Sequence, residues 1–270
     1  MFALSQRTCR LGAAWAVPMA LVAAACEATV PPIPQVDRDA LVALYEATNG
    51  PHWVDNTNWL SDRPLGEWYG VDTDADGRVV KIVLRGRVSS GPFSLTHGLS
   101  GEIPPEIGDL SSLEVLDLGD NDLSGEIPPE LGNLSNLVRL ALFDNDLSGE
   151  IPPELGNLSN LGGLLLFGND LSGEIPPELG NLSSLEVLWL IGTGLSGELP
   201  PELGNLSNLV RLELSWNQRL SGEIPASFLT LDDLELFRFD YSPGLCAPNT
   251  SAFTSWLEGM SVAEGPRCYE

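Results

Sequence analysis

The chain has 270 residues, with 13 Lys+Arg against 38 Asp+Glu and a formal charge of −25 at pH 7. A balance this acidic argues against nucleic acid and against an anionic membrane surface as partners, because both would repel it. The length allows one or two domains, and the two histidines, His52 and His97, stand at no spacing that suggests a metal site.

Residues 1–25 read as an export signal. Arg7 and Arg10 precede an uncharged apolar run from Leu11 to Ala25, which Pro18 interrupts and which is too short to span a membrane comfortably. Ala23-Ala24-Ala25 offers a small-residue cleavage site, and Cys26 follows at once. The run from Leu21 to Cys26 resembles a bacterial lipobox, with Ala23 where Leu is usual. Cys26 is therefore expected to carry a lipid anchor, its only link to a membrane; ordinary cleavage beside a chance cysteine is the alternative. Residues 26–36 contain Pro31, Pro32 and Pro34 and read as a stiff tether.

Residues 37–98 form a unit that precedes the repeats and contains a first strand. The pattern predicts a helix from Asp37, as its cap, to Gly50, with Leu41, Leu44, Tyr45 and Thr48 on one face. Trp53, Trp59 and Trp68 follow, then two strands joined at Asp76-Gly77, the second running from Val79 to Leu84. Asp72-x-Asp74-x-Asp76-Gly77 opens like a calcium-binding loop of the EF-hand type, but the twelfth position, which should be a bidentate Glu, is Val83. A hairpin with Asp-Gly at its tip is the plainer reading. After Arg87, the Ser/Gly-rich stretch Val88–Gly98 reads as a loop.

From Leu99 to Gly244 one register, LSGEIPPELGNLSNLxxLxLxxND, organises the chain. Copies start at Leu99, Leu123, Leu147, Leu171 and Leu195, each 24 residues after the last; a sixth starts at Leu220, one residue late because Arg219 is inserted. A fixed short period marks a solenoid. In the first copy the apolar positions are Leu99, Ile103, Ile107, Leu110, Leu113, Leu116 and Leu118, spaced for neither a single helix nor a single strand. The period of two at its end predicts a short strand. Gly101 and Pro104-Pro105 force an extended edge on the opposite side. Asn121, Asn145, Asn169 and Asn217 recur in the turn after the strand, with Thr193 once in their place, to bond turn backbone in their own and adjoining coils. One coil cannot offset the entropy of ordering its own backbone by burying seven side chains, so coils must stack.

Beyond Leu220 the pattern decays, with Ser227-Phe228-Leu229 in place of Glu-Leu-Gly. Residues 245–270 form a closing segment. Thr250 caps a helix carrying Phe253, Trp256, Leu257 and Met260 on one face, and Cys246 and Cys268 flank it. In an exported chain these two cysteines read as a disulfide, with two separate thiols as the alternative.

The repeat resembles the plant-type leucine-rich repeat, LxxLxLxxNxLSGxIPxxLGxLxx, over about 145 of the 270 residues. That resemblance implies an α/β solenoid: a right-handed superhelix with a parallel concave β-sheet and a mostly 3₁₀ or extended convex side, capped at both ends. It further implies that proteins, peptides or small ligands bind the concave face. The stretch DRDALVALYEATNG…W…NW…WYGV…GRV resembles the N-terminal cap of the same family, where plant members usually carry a Cys pair. None is present here, so this lid must rest on aromatic packing, and Val79–Leu84 becomes the first of seven concave strands.

On such a sheet, residues between and just after the paired leucines face outward. One column reads Val83, Asp117, Ala141, Leu165, Trp189, Glu213 and Arg238; the next reads Arg85, Gly119, Phe143, Phe167, Ile191, Ser215 and Asp240. Phe143, Leu165, Phe167, Trp189 and Ile191 are expected to form one apolar patch with Trp216 beside it. Arg139, Arg211, Asp117, Asp120, Asp144, Glu186 and Glu213 form its charged rim, the composition of a recognition site. An incidental array of β-favouring residues, or a self-association face, is the bland reading. Glu102 and Glu106 recur as Glu126/Glu130, Glu150/Glu154, Glu174/Glu178 and Glu198/Glu202, rows of like charge read as a solvated face or, alternatively, as a surface for a basic partner. Asn133, Asn157, Asn181 and Asn205 open glycosylation sequons that double as repeat positions, and Asn249 opens one outside the lattice. No acid–base–nucleophile set stands apart from the repeat lattice, so the expectation is a non-enzymatic module with no catalytic residue, cofactor or metal. It would capture a protein or peptide at the cell surface or in the envelope. The alternative is a structural or adhesive surface protein acting through its acidic faces.

Overall fold

A computed structural model describes residues 35–86 and 97–268. The export signal, Cys26, most of the proline-rich tether, Arg87 and most of the Ser/Gly-rich loop lie outside those residues. No helix of the described residues is long and apolar enough to cross a membrane.

Each repeat makes one coil with three sides. The alternating leucines form a three-residue strand: Val115–Asp117, Arg139–Ala141, Gly163–Leu165, Val187–Trp189, Arg211–Glu213 and Leu236–Arg238. These pair in parallel with Val79–Val83 at their head, giving the seven strands expected from the repeat count. Two further strands extend the sheet to nine among the described residues: Val71–Thr73, antiparallel at one end, and Val262–Glu264, parallel at the other. Leu-Ser-Gly builds a second, shorter set of parallel strands, and Pro-Glu-Leu-Gly-Asn a five-residue 3₁₀ turn whose first proline supplies a pre-set φ.

The stacking has three repeating devices. The leucines and isoleucines of the repeat pattern are buried in one continuous core. The turn asparagines form a ladder: Asn145 Oδ1 accepts from Leu123 N–H at 3.0 Å, while its Nδ2 donates to the carbonyls of Leu118, Leu142 and Phe143 at 3.0–3.1 Å. A glutamate at the end of the second-sheet segment lays its aliphatic stem across the positive-φ glycine of the following coil from Glu102 to Glu198, for example Glu126 over Gly149 and Glu150 over Gly173. Thr193 interrupts the ladder. Its hydroxyl and its N–H both turn to Asn217 Oδ1, at 2.7 and 3.1 Å, and beside it the second sheet parts into a four-stranded and a three-stranded piece. Across that seam Ser196 N–H still donates to Gly173 O at 2.8 Å.

At the N-terminal end, helix α1 spans Gln35–Ala47, two residues earlier than its expected start. Asp37 is not its cap. The first turn is held instead by Gln35, which donates to Asp39 at 2.6 Å, and the buried Asp37 carboxylate crosses to accept Val79 N–H at 2.7 Å. The helix also stops before Gly50, where Asn49 takes a left-handed φ and a short 3₁₀ turn begins. The lid is aromatic: Trp53 and Trp59 meet edge to face at 4.8 Å, and Trp59 lies 5.1 Å from the fully buried Trp68. The Asp-rich stretch forms a hairpin, in which Asp74 accepts the N–H groups of Asp76 and Arg78 at 2.9 Å and Gly77 takes a positive φ.

The C-terminal end is a coil in which a helix replaces the 3₁₀ turn. A second-sheet strand, Gly244–Cys246, leads into α2, Ser251–Glu258, and then into the concave strand Val262–Glu264. Thr250 caps α2 by accepting Phe253 N–H, and Phe253 and Leu257 are buried. Cys246 and Cys268 are bridged, with their Cα atoms 4.9 Å apart.

Candidate functional site

The two outward columns expected from the repeat are in register. Val83, Asp117, Ala141, Leu165, Trp189, Glu213 and Arg238 are successive partners across the concave sheet, and Glu264 adds an eighth. In mid-sheet, Ala141, Phe143 and Leu165 form a small apolar cluster outside the main core, with Phe167 and Trp189 packed against it. Phe143 and Phe167 stack at 4.6 Å with 9° between planes, and Phe167 meets Trp189 tilted at 5.8 Å.

The patch is smaller than the sequence suggests, for three reasons. Rings from adjoining coils hide each other's faces, so Phe143 is 3% exposed and Leu165 7%, leaving Phe167 and Trp189 as its half-buried outer members. Ile191 does not join the cluster, because its neighbour in the following coil is Ser215, whose hydroxyl donates to Asp240. Trp216 is also apart from it. Its φ of 65° turns it off the sheet to stack on Tyr241 at 4.2 Å. Tyr241 could have been found from the sequence, since it holds the same repeat position as Trp216 one coil on.

Arg85, a member of the second outward column, has a role that its column position does not disclose. Its guanidinium lies 4.6 Å over the Phe143 ring and 2.9 Å from Asp120, closing one end of the cluster with a cation.

At the other end a recess of about 380 Å³ opens, floored by Leu165 and walled by Trp189, Val187 and Val138, with Arg139 and Arg211 at its sides. Gly162 and Gly163 create it. Most repeat glycines are demanded by a positive φ or by a backbone against which a Cβ would collide, as at Gly156. At Gly163 a Cβ would meet only ordinary contacts at 3.6 Å or more, so the glycine is there to leave space. The Trp189 indole N–H beside the recess is buried without a hydrogen-bond acceptor. Arg139 is 3.9 Å from Asp117, and no carboxylate lies within ion-pair distance of Arg211 among the described residues. Glu213 is buried, which pushes its carboxyl above the usual range; Arg238 pulls it back, and Asp240 and Glu264 add to the rise.

The arrangement is an open, gently apolar surface with a pocket and separate cations. It can hold an extended chain by side-chain burial and hydrogen bonds.

A family model described as Leucine Rich Repeat matches residues 112–134, 136–158, 160–182 and 184–206. The structure is similar to that of PEPR1–AtPEP1, with a TM-score of 0.74 and 28% identity over 86% of this chain and 31% of that one. It is similar to the BIR2 ectodomain from Arabidopsis thaliana, with a TM-score of 0.58 and 33% identity over 69% of this chain and 94% of that one. It also resembles the plant peptide hormone receptor RGFR1 in complex with RGF2, with a TM-score of 0.51 and 33% identity over 62% of this chain and 32% of that one. The chain spans less than a fifth of the length of the curated relatives it matches, receptor-like serine/threonine-protein kinases of Arabidopsis thaliana. With a shared repeat, a shared sheet and near-complete coverage of one such ectodomain, the chain belongs to the leucine-rich repeat family in its plant-type form.

Proposed function

We propose that this chain is a non-enzymatic recognition module that lays a peptide or an extended protein segment across its concave face. The segment runs over Phe167 and Trp189, with one apolar side chain in the recess at Gly163. The observation that carries this reading is the recess itself, opened by glycines that neither backbone geometry nor packing requires. A second support is that RGFR1, which has a similar fold, is a peptide hormone receptor. Arg139 and Arg211 flank the recess and offer the segment charge-assisted hydrogen bonds. In this reading the chain is exported and held at the envelope by a lipid on Cys26. Residues 37–98 and 245–270 serve as end caps for the repeats between them.

The test is a display selection of peptides against the wild-type protein, followed by affinity measurements. Phe167→Ala combined with Trp189→Ala should weaken selected peptides by at least about tenfold, the loss of two aromatic anchors, while the circular dichroism and melting temperature show an intact fold. Unchanged affinity in that double variant defeats the assignment. Binding lost together with concentration-dependent assembly of the wild type points instead to a structural, self-associating surface. The exposed rows of Glu102 and its equivalents would then be the relevant face.

A further inference from the structure

The turn position just before the asparagine ladder holds Asp120, Asp144, Gly168, Gly192, Trp216 and Tyr241, and all six have a positive φ between 50° and 65°. Glycine suits that conformation and aspartate tolerates it, but a bulky aromatic residue there is an outlier that costs free energy. Two consecutive aromatics accept this cost while burying little: Trp216 is 54% exposed and Tyr241 61%. Their stacking hides one face of each ring.

The free face of Trp216 has a particular outlook. Trp216 and Tyr241 come from adjoining coils and stack nearly parallel, with an angle of 13°, so their ring normals run along the solenoid. The other face of Trp216 therefore looks back over Gly192, where a Cβ would meet nothing within 4 Å. One coil further back, the Asp144 carboxylate leans over Gly168, where a Cβ would collide with it. A ledge floored by Gly192 thus lies between the carboxylate, which covers Gly168, and an indole face two coil spacings on, about 10 Å away. It adjoins Phe167 directly in the chain. Asp144 has no ion pair among the described residues, since Arg85 is engaged by Asp120. Partial burial and the nearby Asp120 hold the Asp144 carboxyl above the usual range, with Arg85 opposing.

We propose that this ledge is a subsite for an alkylammonium group, the side-chain ammonium of a lysine in the bound segment, held between the Asp144 carboxylate and the Trp216 ring. The inference rests on the peptide-binding reading above and adds the chemistry of one ligand position. A lysine side chain is long enough to donate from its ammonium to the carboxylate while its methylene stem packs on the indole face, and a planar guanidinium stacked on the ring would aim its donors sideways. The formal charge of −25 favours a basic ligand in general, and the ledge gives that preference a location.

The probe is Nα-acetyl-lysine N-methylamide, titrated at low salt into ¹⁵N-labelled protein. The expected result is a saturable shift of the Trp216 indole N–H and of the Gly168 and Gly192 amides. Nα,Nε-diacetyl-lysine N-methylamide, which carries no ammonium, should not produce it, and glycinamide, which carries only an α-amine, should bind more weakly. Asp144→Asn and Trp216→Gly should each weaken binding about three- to fivefold; the glycine suits the left-handed turn, so that variant keeps its fold. Equal shifts from Nα,Nε-diacetyl-lysine N-methylamide, or shifts unaffected by both substitutions, overturn the proposal. So does a response to methyl glucoside with none to the ammonium, which would make the aromatic ledge a sugar platform. Loss of the ammonium response with peptide affinity still dependent on Phe167 and Trp189 removes this inference alone. A retained ammonium response with peptide affinity indifferent to those two residues removes the wider reading alone.

Discussion

Asn145 shows what one side chain does in a stacked molecule. It is buried and makes four hydrogen bonds to backbone groups of its own coil and of the preceding one. Asn145→Ala strands the Leu123 N–H and takes one of two donors from each of three carbonyls. The expected cost is about 3 kcal/mol, read as a lowered midpoint in urea, and a loss under about 1 kcal/mol would show that the ladder is decorative. This duty was legible in the sequence, because an asparagine that returns every 24 residues after a leucine pair must serve the turn it occupies. The direction of Trp216 was not legible. The register shows a tryptophan where its predecessors have aspartate or glycine, but its direction depends on a backbone angle at that one turn residue, which the residue types do not announce. Gly163 was missed for the opposite reason: a glycine signals a backbone need far more often than an intended space.

At the level of elements, the strands and 3₁₀ turns follow from the spacing, and their pairing follows from the period. The register of both outward columns was therefore fixed by counting alone. Counting failed at the ends, where the repeat stops. Val262–Glu264 carries no leucine pair, yet it extends the concave sheet because α2 and the bridge from Cys246 to Cys268 hold it against Leu236–Arg238. Backbone pairing with the preceding coil defines this strand, whose residues are half-buried or exposed. Reduction of that bridge, whose cysteines are 22 residues apart, should cost about 3 kcal/mol. It should also free the last strand before the repeats melt. The check is amide hydrogen exchange with and without reductant, where faster exchange confined to residues 244–268 is expected and uniform acceleration along the solenoid is not.

For the molecule as a whole, charge decides how stability varies with pH. Asp37, Asp144 and Glu213 all have their carboxyls raised, burial being the first cause in each. A raised carboxyl binds its proton more tightly in the folded chain than in the unfolded one. Below its native pKa and down towards the ordinary value, 3.8 for Asp37 and 4.5 for Glu213, the folded chain gains protons that the unfolded chain lacks. Its stability rises over that window as pH falls and drops again as pH climbs. Salt screens the like charges along the exposed glutamate rows. The melting temperature is accordingly expected to be higher at about pH 5 than at about pH 7.5, and higher in about 0.2 M salt than at low ionic strength. A melting temperature that falls steadily on acidification from neutral pH would show that favourable ion pairs outweigh these terms.

The interruption at Thr193 has a mechanical meaning. A stack held by nearest neighbours is only as strong as its poorest junction, and here the polar spine changes partners while the flanking sheet divides. Under load, or near denaturing conditions, the rod should part at that joint into two blocks, each retaining a lid. Gly163 and Arg211 would then leave on different pieces, so grip on a ligand is lost before either block melts.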